Sequence, residues 1–410
     1  INGCGESTWS CEFLLNMSPP AINLENSSEL LNQLLDATIQ RKASDLHLSA
    51  NHAPHFRQQG LLAAAEDWPV FNSETMAGLA TTLAELTLAK NPPHIGALDG
   101  ALSAHEGTRF RFNVYRRSGA FSIALRRLED RIRSLPELGL PSDLYSLADN
   151  SHGLVLIAGP TGSGKSTTLA TLIDRINQTR ACHVITIEDP IEYLHTSQKS
   201  LVDQREVGHD TRNFNEALVA SLRQDPDVIL VGEIRDLDTI RTAITAAETG
   251  HLVFATIHSG DCIGSIDRLV SVFHSDEQPG IRRQLAMILR AVVSQRLIIA
   301  DGNKSTPEQT EIESENAKAA KTKLVLASET MKVTSPVSNL IAQGKDTHIY
   351  SIMETGRADG MYTLDECLAQ LLREGKISER TAKGLSKNPD VMLSRASRMR
   401  PSRFVVADPR

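Results

Sequence analysis

The stretch LVLIAGPTGSGKSTT, residues 154–168, decides the fold of this chain. A short apolar run leads into a glycine-rich loop, and the loop ends at Lys165 and Ser166, where a helical pattern begins. G-x4-G-K-S between a strand and a helix is the phosphate-binding P-loop pattern. Its glycines let backbone N–H groups turn inward around phosphate oxygens, and the helix adds its positive N-terminal end. The stretch therefore predicts a nucleotide-binding α/β domain.

Two side chains of the loop have predicted roles toward ATP. Lys165 should reach the β- and γ-phosphates, and the hydroxyl group of Ser166 should ligate Mg²⁺. The predicted nucleotide-binding residues are Gly159, Pro160, Thr161, Gly162, Ser163, Gly164, Lys165, Ser166 and Thr167.

The sequence after residue 150 alternates short apolar strands with helical segments. The strands are LVLIAG, HVITIED, DVILVGE and HLVFATIH. This alternation is typical of a parallel sheet covered by helices. We assign this core to residues 151–300.

Carboxylates follow two of these strands. VITIEDPIEY supplies Glu188, Asp189 and Glu192, and VILVGEIRD supplies Glu233. Ligands of open parallel sheets bind at the carboxyl ends of the strands, so these groups could polarise an attacking water or hold magnesium, partly through water. The alternatives are a turn residue before proline for Asp189 and solvated strand ends for Glu192 and Glu233.

Two histidines flank the strand in ETGHLVFATIHSGD, namely His251 and His258. Either imidazole could sense a γ-phosphate or link to a neighbouring subunit. The alternative for both is an ordinary structural histidine.

The sequence before the core predicts a small α+β domain over residues 17–134. It contains an amphipathic helix in 27–44, a second helix in 74–89 and a hairpin in 109–128 with its turn at Ser118-Gly119. Residues 135–150, which include two prolines, resemble a linker.

The remaining segments are assigned from composition. The chain starts at Ile1, and a start at Met17 is plausible, so residues 1–16 could be a non-native leader. Residues 301–323 are polar and predict a flexible insertion. Residues 324–410 predict one strand followed by a mainly helical C-terminal region.

Composition limits the classes of protein that remain. The 410 residues carry a net charge of −7, which argues against electrostatic binding to nucleic acid or to an anionic membrane. No apolar run approaches 18 residues, the length that a transmembrane helix needs. The five cysteines form no C-x-x-C pair, which argues against a zinc ribbon.

Four ordered motifs give the chain a family resemblance. LRQDPDVILVGEIRD (222–236) resembles the Walker B region of the hexameric ATPases of type II secretion and type IV pili, TIEDPIEY their aspartate box and TGHLVFATIH their histidine box. The P-loop precedes these in the family's order. The resemblance implies a RecA-like core after a PAS-like domain, with Glu233 handling water or magnesium and Glu192 as the general base. It implies salt-bridge or interface roles for Arg223, Arg235 and Asp236.

Within the family, the chain is most similar to the pilus-retraction branch. RFRFN, LVDQREVGHDTRNFNEAL and MYTLDECLAQLLREGKIS carry this resemblance, and assembly and secretion ATPases usually have a four-cysteine zinc module that is absent here. An arginine-bearing hairpin of the family maps onto Arg111 and Arg126, which would stabilise the γ-phosphate. A solvated arginine-rich strand face is the alternative for both.

The resemblance also implies partners and location. It predicts a homo-hexamer that is cytoplasmic and peripheral at the inner face of the inner membrane. The expected partners are a pilus platform protein and, in addition, other pilus ATPases. Two features depart from the branch: Ser338 in PVSNLI (336–341) stands where the branch has arginine, and the insertion is long. The alternatives therefore stay open: a pilus-assembly, type II secretion or DNA-trafficking ATPase, or a weakly hydrolysing accessory subunit.

Overall fold

The structure, a computed structural model, describes residues 24–398 except 25, 59, 106, 129–130 and 302–323. The possible leader, the predicted insertion after residue 301 and the last twelve residues lie outside the described residues. In the part of the chain that is described, no helix combines the length and the apolar character needed to cross a bilayer.

The N-terminal part is a six-stranded antiparallel sheet with two helices. The strand order is β3-β2-β1-β6-β5-β4. The predicted hairpin is confirmed, and Ser118 (φ 50°) and Gly119 (φ 82°) form its turn. The elements are α1 (Ser27–Gln40), β1 (Asp45–Ser49), β2 (His55–Gln58), β3 (Leu61–Ala64), α2 (Ser73–Glu85), β4 (Ala97–Ser103), β5 (Arg109–Arg117) and β6 (Ala120–Arg127).

Alternation along β5 and β6 separates the two faces of this sheet. Phe110, Phe112 and Leu125 point into a core that α1 and α2 complete with leucines such as Leu34. The residues between them, Arg111 among them, point away from that core, since side chains alternate across a strand. The charged face is therefore left to meet other parts of the molecule.

The core after residue 150 is a seven-stranded sheet in the order β13-β12-β7-β11-β10-β8-β9. Six of its strands are parallel, and only β13 runs antiparallel to its neighbour. The predicted parallel sheet is thus confirmed. Its elements are β7 (Gly153–Ala158), α3 (Lys165–Thr179), β8 (His183–Glu188), β9 (Leu201–Glu206), α4 (Phe214–Ser221), β10 (Val228–Val231), α5 (Leu237–Glu248), β11 (Leu252–Ile257), α6 (Cys262–Ser271), α7 (Gln278–Ile288), β12 (Leu289–Ile299) and β13 (Leu324–Lys332).

The central strands are buried on both faces, as parallel strands between helix layers must be. All six residues of β7 and all six of β11 are buried. One face packs against α4 to α7 and the other mainly against α3.

The stretch predicted as a linker packs onto this core. Leu135, Leu140, Leu144 and Leu147 are buried against the α3 side of the sheet. Residues Ser142–Asp149 form a 3₁₀ helix. The two prolines and the glycine therefore shape a packed connection, because the leucines between them bury enough apolar surface to hold it.

The C-terminal region is mainly helical after β13, in agreement with the sequence. Ser338, the position that departs from the branch motif, lies in the first of these helices and its hydroxyl donates to the carbonyl of Ala286 at 2.7 Å. The helices are α8 (Ser335–Gln343), α9 (Ile349–Thr355), α10 (Leu364–Arg373), α11 (Glu379–Leu385) and α12 (Pro389–Arg398).

Candidate active site

The P-loop connects β7 to α3 and needs glycine at two positions for different reasons. A Cβ on Gly159 would lie 2.4 Å from the carbonyl oxygen of Gln295, so the loop passes too close to β12 for a side chain. Gly164 adopts the left-handed conformation (φ 89°) directly before α3, which an L side chain rarely adopts. The loop therefore curls back over the helix N-terminus.

The side chains of this loop fit a phosphate ligand. Lys165 is buried, and its Nζ donates to the carbonyls of Gly159 (3.0 Å) and Pro160 (2.9 Å). Burial lowers the pKa of Lys165, while the nearby Glu233 and Glu192 raise it. Within the described residues, the buried Oγ of Ser163 has no hydrogen-bond partner. An ammonium group and a spare hydroxyl group beside a helix N-terminus suit an anionic oxygen ligand.

The loop borders a cleft of about 200 Å³. The predicted carboxylates line this cleft from the ends of separate strands, and their chemical roles stay predictions. Predicted residues that line the cleft are Thr161, Gly162, Lys165, Ser166, Glu188, Asp189, Glu192, Glu233 and His258.

Glu188, the last residue of β8, lies at the inner wall of the cleft. Its Oε1 accepts hydrogen bonds from the hydroxyl of Thr186 (2.7 Å) and the amide of Gln204 (3.3 Å). Burial raises the pKa of Glu188 to about 7, and these hydrogen bonds only partly offset that effect. Near neutral pH this carboxyl group therefore exchanges readily between its protonated and ionised forms.

Gly232 and Glu233, the two residues that follow β10, each have a structural role. A Cβ on Gly232 would lie 3.1 Å from the carbonyl oxygen of Ile187, so glycine lets β10 end tightly against β8. Glu233 then forms an ion pair with Arg235 and lies 3.2 Å from Nε2 of His258. Burial and the positive charge of Lys165 lower the pKa of His258, although Glu233 opposes this.

The aspartate box crosses the cleft beside α3. The hydroxyl of Tyr193 lies 3.1 Å from Oγ1 of Thr167, which ties the box to the P-loop helix. Burial raises the pKa of Asp189, and the charge of Arg111 opposes the rise. Asp189 thus faces the arginine-bearing sheet.

Arg111 and Arg126 are direct neighbours across β5 and β6, but they do not line the cleft. Arg126 donates to Asp45 at 2.8 Å, and Arg111 lies 3.8 Å from Asp99. Both are exposed on the charged face of the first sheet. Sequence reasoning missed Asp45, which lies in the polar-apolar alternation of β1 and partly neutralises Arg126.

His251 lies at the other end of β11 from the cleft. Its Nδ1 is 2.9 Å from the carbonyl oxygen of Ala246 and 3.2 Å from the hydroxyl of Thr249. Within this chain the two histidines are therefore apart: His258 contacts the carboxylate of Glu233, and His251 has the contacts of a structural histidine.

Sequence reasoning also missed several residues that line the cleft, among them His195 and Phe214. Burial lowers the pKa of His195 to about 4, so the imidazole is neutral. Its position three residues after Glu192, just beyond the aspartate box, was the available signal. Phe214 is the first residue of α4, and it lies outside the phosphate-binding motifs of the sequence.

Comparison with known proteins agrees with this geometry. The profile of the family described as Type II/IV secretion system protein matches residues 23–380. The chain belongs to this family. Among members of the Type II/IV secretion system family, the "Type IV pilus retractation ATPase PilT" of Pseudomonas aeruginosa is 39% identical over 360 residues, which cover 88% of this chain and 99% of that protein.

Two further relatives support the same branch of the family. A "Twitching motility protein" of Neisseria gonorrhoeae is 43% identical over 286 residues, 69% of this chain and 71% of that protein. A crystal structure of the pilus retraction motor PilT with bound ADP superposes with a TM-score of 0.75 at 37% identity, covering 88% of this chain and 98% of that one.

Proposed function

We propose that this chain is a P-loop ATPase that acts as a hexameric motor and powers retraction of a type IV pilus by driving pilin disassembly. The observation that carries the proposal is the single cleft in which the P-loop, three glutamates and His258 converge. Its support from relatives is the similarity to a pilus retraction ATPase over 99% of that protein's length and to a retraction motor that binds ADP.

The residues of the cleft would have separate roles in ATP hydrolysis. Backbone N–H groups of the loop and Lys165 would hold the β- and γ-phosphates. Glu192 would take the proton of the water that attacks the γ-phosphorus as the bond to ADP breaks. Glu233, steadied by His258, would orient that water.

Magnesium is the expected metal. Bound Mg²⁺ neutralises charge on the phosphate oxygens. The hydroxyl of Ser166 and the carboxylates of Glu188 and Glu233 would hold it, partly through water, since oxygen ligands are those that Mg²⁺ prefers. Glu188 would have to be ionised for this, and a nearby cation favours that form.

Membership of the family supports the proposed ring assembly and location. We expect a homo-hexamer, cytoplasmic and peripheral at the inner face of the inner membrane, that passes changes of interdomain angle to a pilus platform protein. Arg111 and Arg126 would reach the nucleotide as the first sheet moves toward the cleft. The chain would also be able to join rings with other pilus ATPases.

The biochemical test is phosphate release by the purified chain with ATP and Mg²⁺. We expect Glu233→Gln to lower kcat by about 10²–10³-fold, because an electrostatic group beside the reacting phosphate is lost. Lys165→Ala should abolish turnover. Glu379→Gln, which removes an exposed carboxylate on α11, is the matched control and should leave kcat unchanged. A wild-type rate equal to that of Lys165→Ala would refute the ATPase and favour an accessory subunit.

The cellular test is to delete the gene in its host and count surface pili. Retraction predicts more pili than in the wild type together with lost twitching. Bald cells would instead indicate assembly or export, and an unchanged count would indicate an accessory role.

A further inference from the structure

The turn after β9 joins the two sheets of the molecule next to the aspartate box. Arg109, the first residue of β5, donates through Nη2 to the carboxylate of Glu206 at 2.7 Å and to the carbonyl oxygen of Ile191 at 3.2 Å. The same Oε2 of Glu206 accepts the backbone N–H of Ile191 at 3.1 Å. Ile191 is thus held through both its N–H and its carbonyl group.

This contact is buried. The side chain of Arg109 is 15% exposed and that of Glu206 is 8% exposed. A charge pair at this depth is screened much less by salt than a surface pair, and removing one partner leaves the other charge uncompensated. The contact therefore constrains position more strongly than a surface salt bridge would.

The end of β9, which carries Glu206, and the turn after it are fixed on both sides. The N–H of Val207 donates to the carbonyl of Glu188 at 2.8 Å, which continues the β8–β9 pairing. The carbonyl of Gly208 accepts a hydrogen bond from the N–H of Leu88, three residues after α2, at 2.9 Å. Glu206 is consequently anchored both to the strand that ends at Glu188 and to the N-terminal part.

The contacts of Arg109 and Glu206 with Ile191, which we call the clamp on Ile191, bear directly on the position of residue 192. Glu192 comes immediately after Ile191, whose N–H and carbonyl groups are both held by hydrogen bonds. On the other side of Glu192, the carbonyl oxygen of Tyr193 accepts a hydrogen bond from the amide of Gln204 at 2.9 Å. The backbone before Glu192 is therefore set by Arg109 and Glu206, and the backbone after it by Gln204.

We propose that Arg109 and Glu206 are positioning residues for Glu192: they place the carboxylate of the proposed general base only when the first sheet is seated against the turn after β9. This inference rests on the proposed function. It gives Arg109 a role separate from that of Arg111, its neighbour two residues on along the same face, which is exposed and is proposed to meet the nucleotide. Seating of the N-terminal part would thereby switch on hydrolysis in each chain.

The kinetic test compares kcat and KM of Arg109→Gln, Arg109→Lys, Glu206→Gln and the double variant Arg109→Gln/Glu206→Gln. We expect either Gln variant to lower kcat by about 10–100-fold with KM within about 3-fold, since misplacing a catalytic group by an ångström costs rates of this order. The double variant should match the singles, because both act through Ile191. Arg109→Lys keeps the charge and should recover part of kcat.

The matched control is Arg282→Gln. Arg282 is 19% exposed and forms an ion pair that joins α7 to the buried Asp346, which lies between α8 and α9, away from the cleft. The Arg282→Gln substitution should lower the free energy of unfolding without lowering kcat. Equal kcat losses for Arg282→Gln and Arg109→Gln would overturn the positioning role, as would a kcat of Arg109→Gln within about 2-fold of an active wild type.

A second measurement does not depend on turnover. Hydrogen exchange of the segment 188–195 should become about 10-fold faster in Arg109→Gln but not in Arg282→Gln, because the clamp on Ile191 is released. Unchanged exchange would overturn the inference even if activity fell. A wild-type chain without turnover would refute the proposed function instead, and the exchange result would still decide whether Arg109 holds the aspartate box.

Discussion

Glu188→Gln isolates the free energy of burying a carboxyl group under the phosphate site. Burial raises the pKa of Glu188 from its usual 4.5 to about 7. The folded chain therefore binds this proton more tightly than the unfolded chain does. The resulting stability is complete below pH 4.5 and is lost as the pH rises through about 7.

The size of the effect follows from the two pKa values. At about 1.4 kcal/mol for each pKa unit, the change from 4.5 to about 7 corresponds to about 3 kcal/mol. Glutamine keeps the acceptor that Thr186 and Gln204 use and carries no charge. The free energy of unfolding of Glu188→Gln minus that of the wild type should therefore increase by about 2–3 kcal/mol as the pH rises from about 5 to about 8.5.

The assay is urea unfolding without nucleotide, followed by far-ultraviolet circular dichroism across this pH range. Any constant cost of the amide group cancels, because only the change of the difference with pH is compared. Glu85→Gln, an exposed site on α2, is the control and should follow the wild type. Parallel pH profiles of Glu188→Gln and wild type would refute the reasoning.

Three further perturbations test other parts of the structure. Phe112→Ala removes a fully buried ring from the core of the N-terminal part. The free energy of unfolding of that part, measured by urea titration, should fall by about 3–5 kcal/mol. An equal fall in the free energy of unfolding of the seven-stranded core would contradict this prediction. His258→Asn removes the imidazole 3.2 Å from Glu233 and should lower kcat about 10-fold with little change in KM, whereas a pure rise in KM would argue against orientation of Glu233. Lys387→Met removes the ammonium group 2.7 Å from Asp261. Hydrogen exchange of α10 and α12 should then become faster, because the ion pair is lost. Unchanged exchange of both helices would contradict this prediction.

The phosphate site could be predicted from sequence because its chemistry is local. Residues 159–166 are contiguous, and their backbone forms the anion site without help from distant parts of the chain. The ends of β8 and β10 were predictable for a related reason: strands buried on both faces give continuous apolar runs, and the first polar residue after each marks its end. The motifs at Glu188 and Glu233 could therefore be assigned to one edge of a sheet without knowing its strand order.

Other features depended on which segments meet across the fold. Arg109 and Glu206 are 97 residues apart, and Arg126 and Asp45 are 81 apart. No periodicity reports such pairs, because they follow from the strand order and from the seating of one sheet on the other. The packed leucines of residues 135–150 escaped prediction for the same reason, since prolines indicate where a chain turns but not which surface it covers.

The protonation of Glu188 shows the same division. The sequence alone determined that a carboxylate ends β8 beside a P-loop, because residue type and strand pattern are written locally. Only the tertiary structure decided that this carboxylate is buried, with a pKa of about 7, and that Arg109 binds the carbonyl oxygen of Ile191, the residue before Glu192. Desolvation and charge pairing depend on all the atoms that surround a group, and those neighbours come from distant parts of the chain.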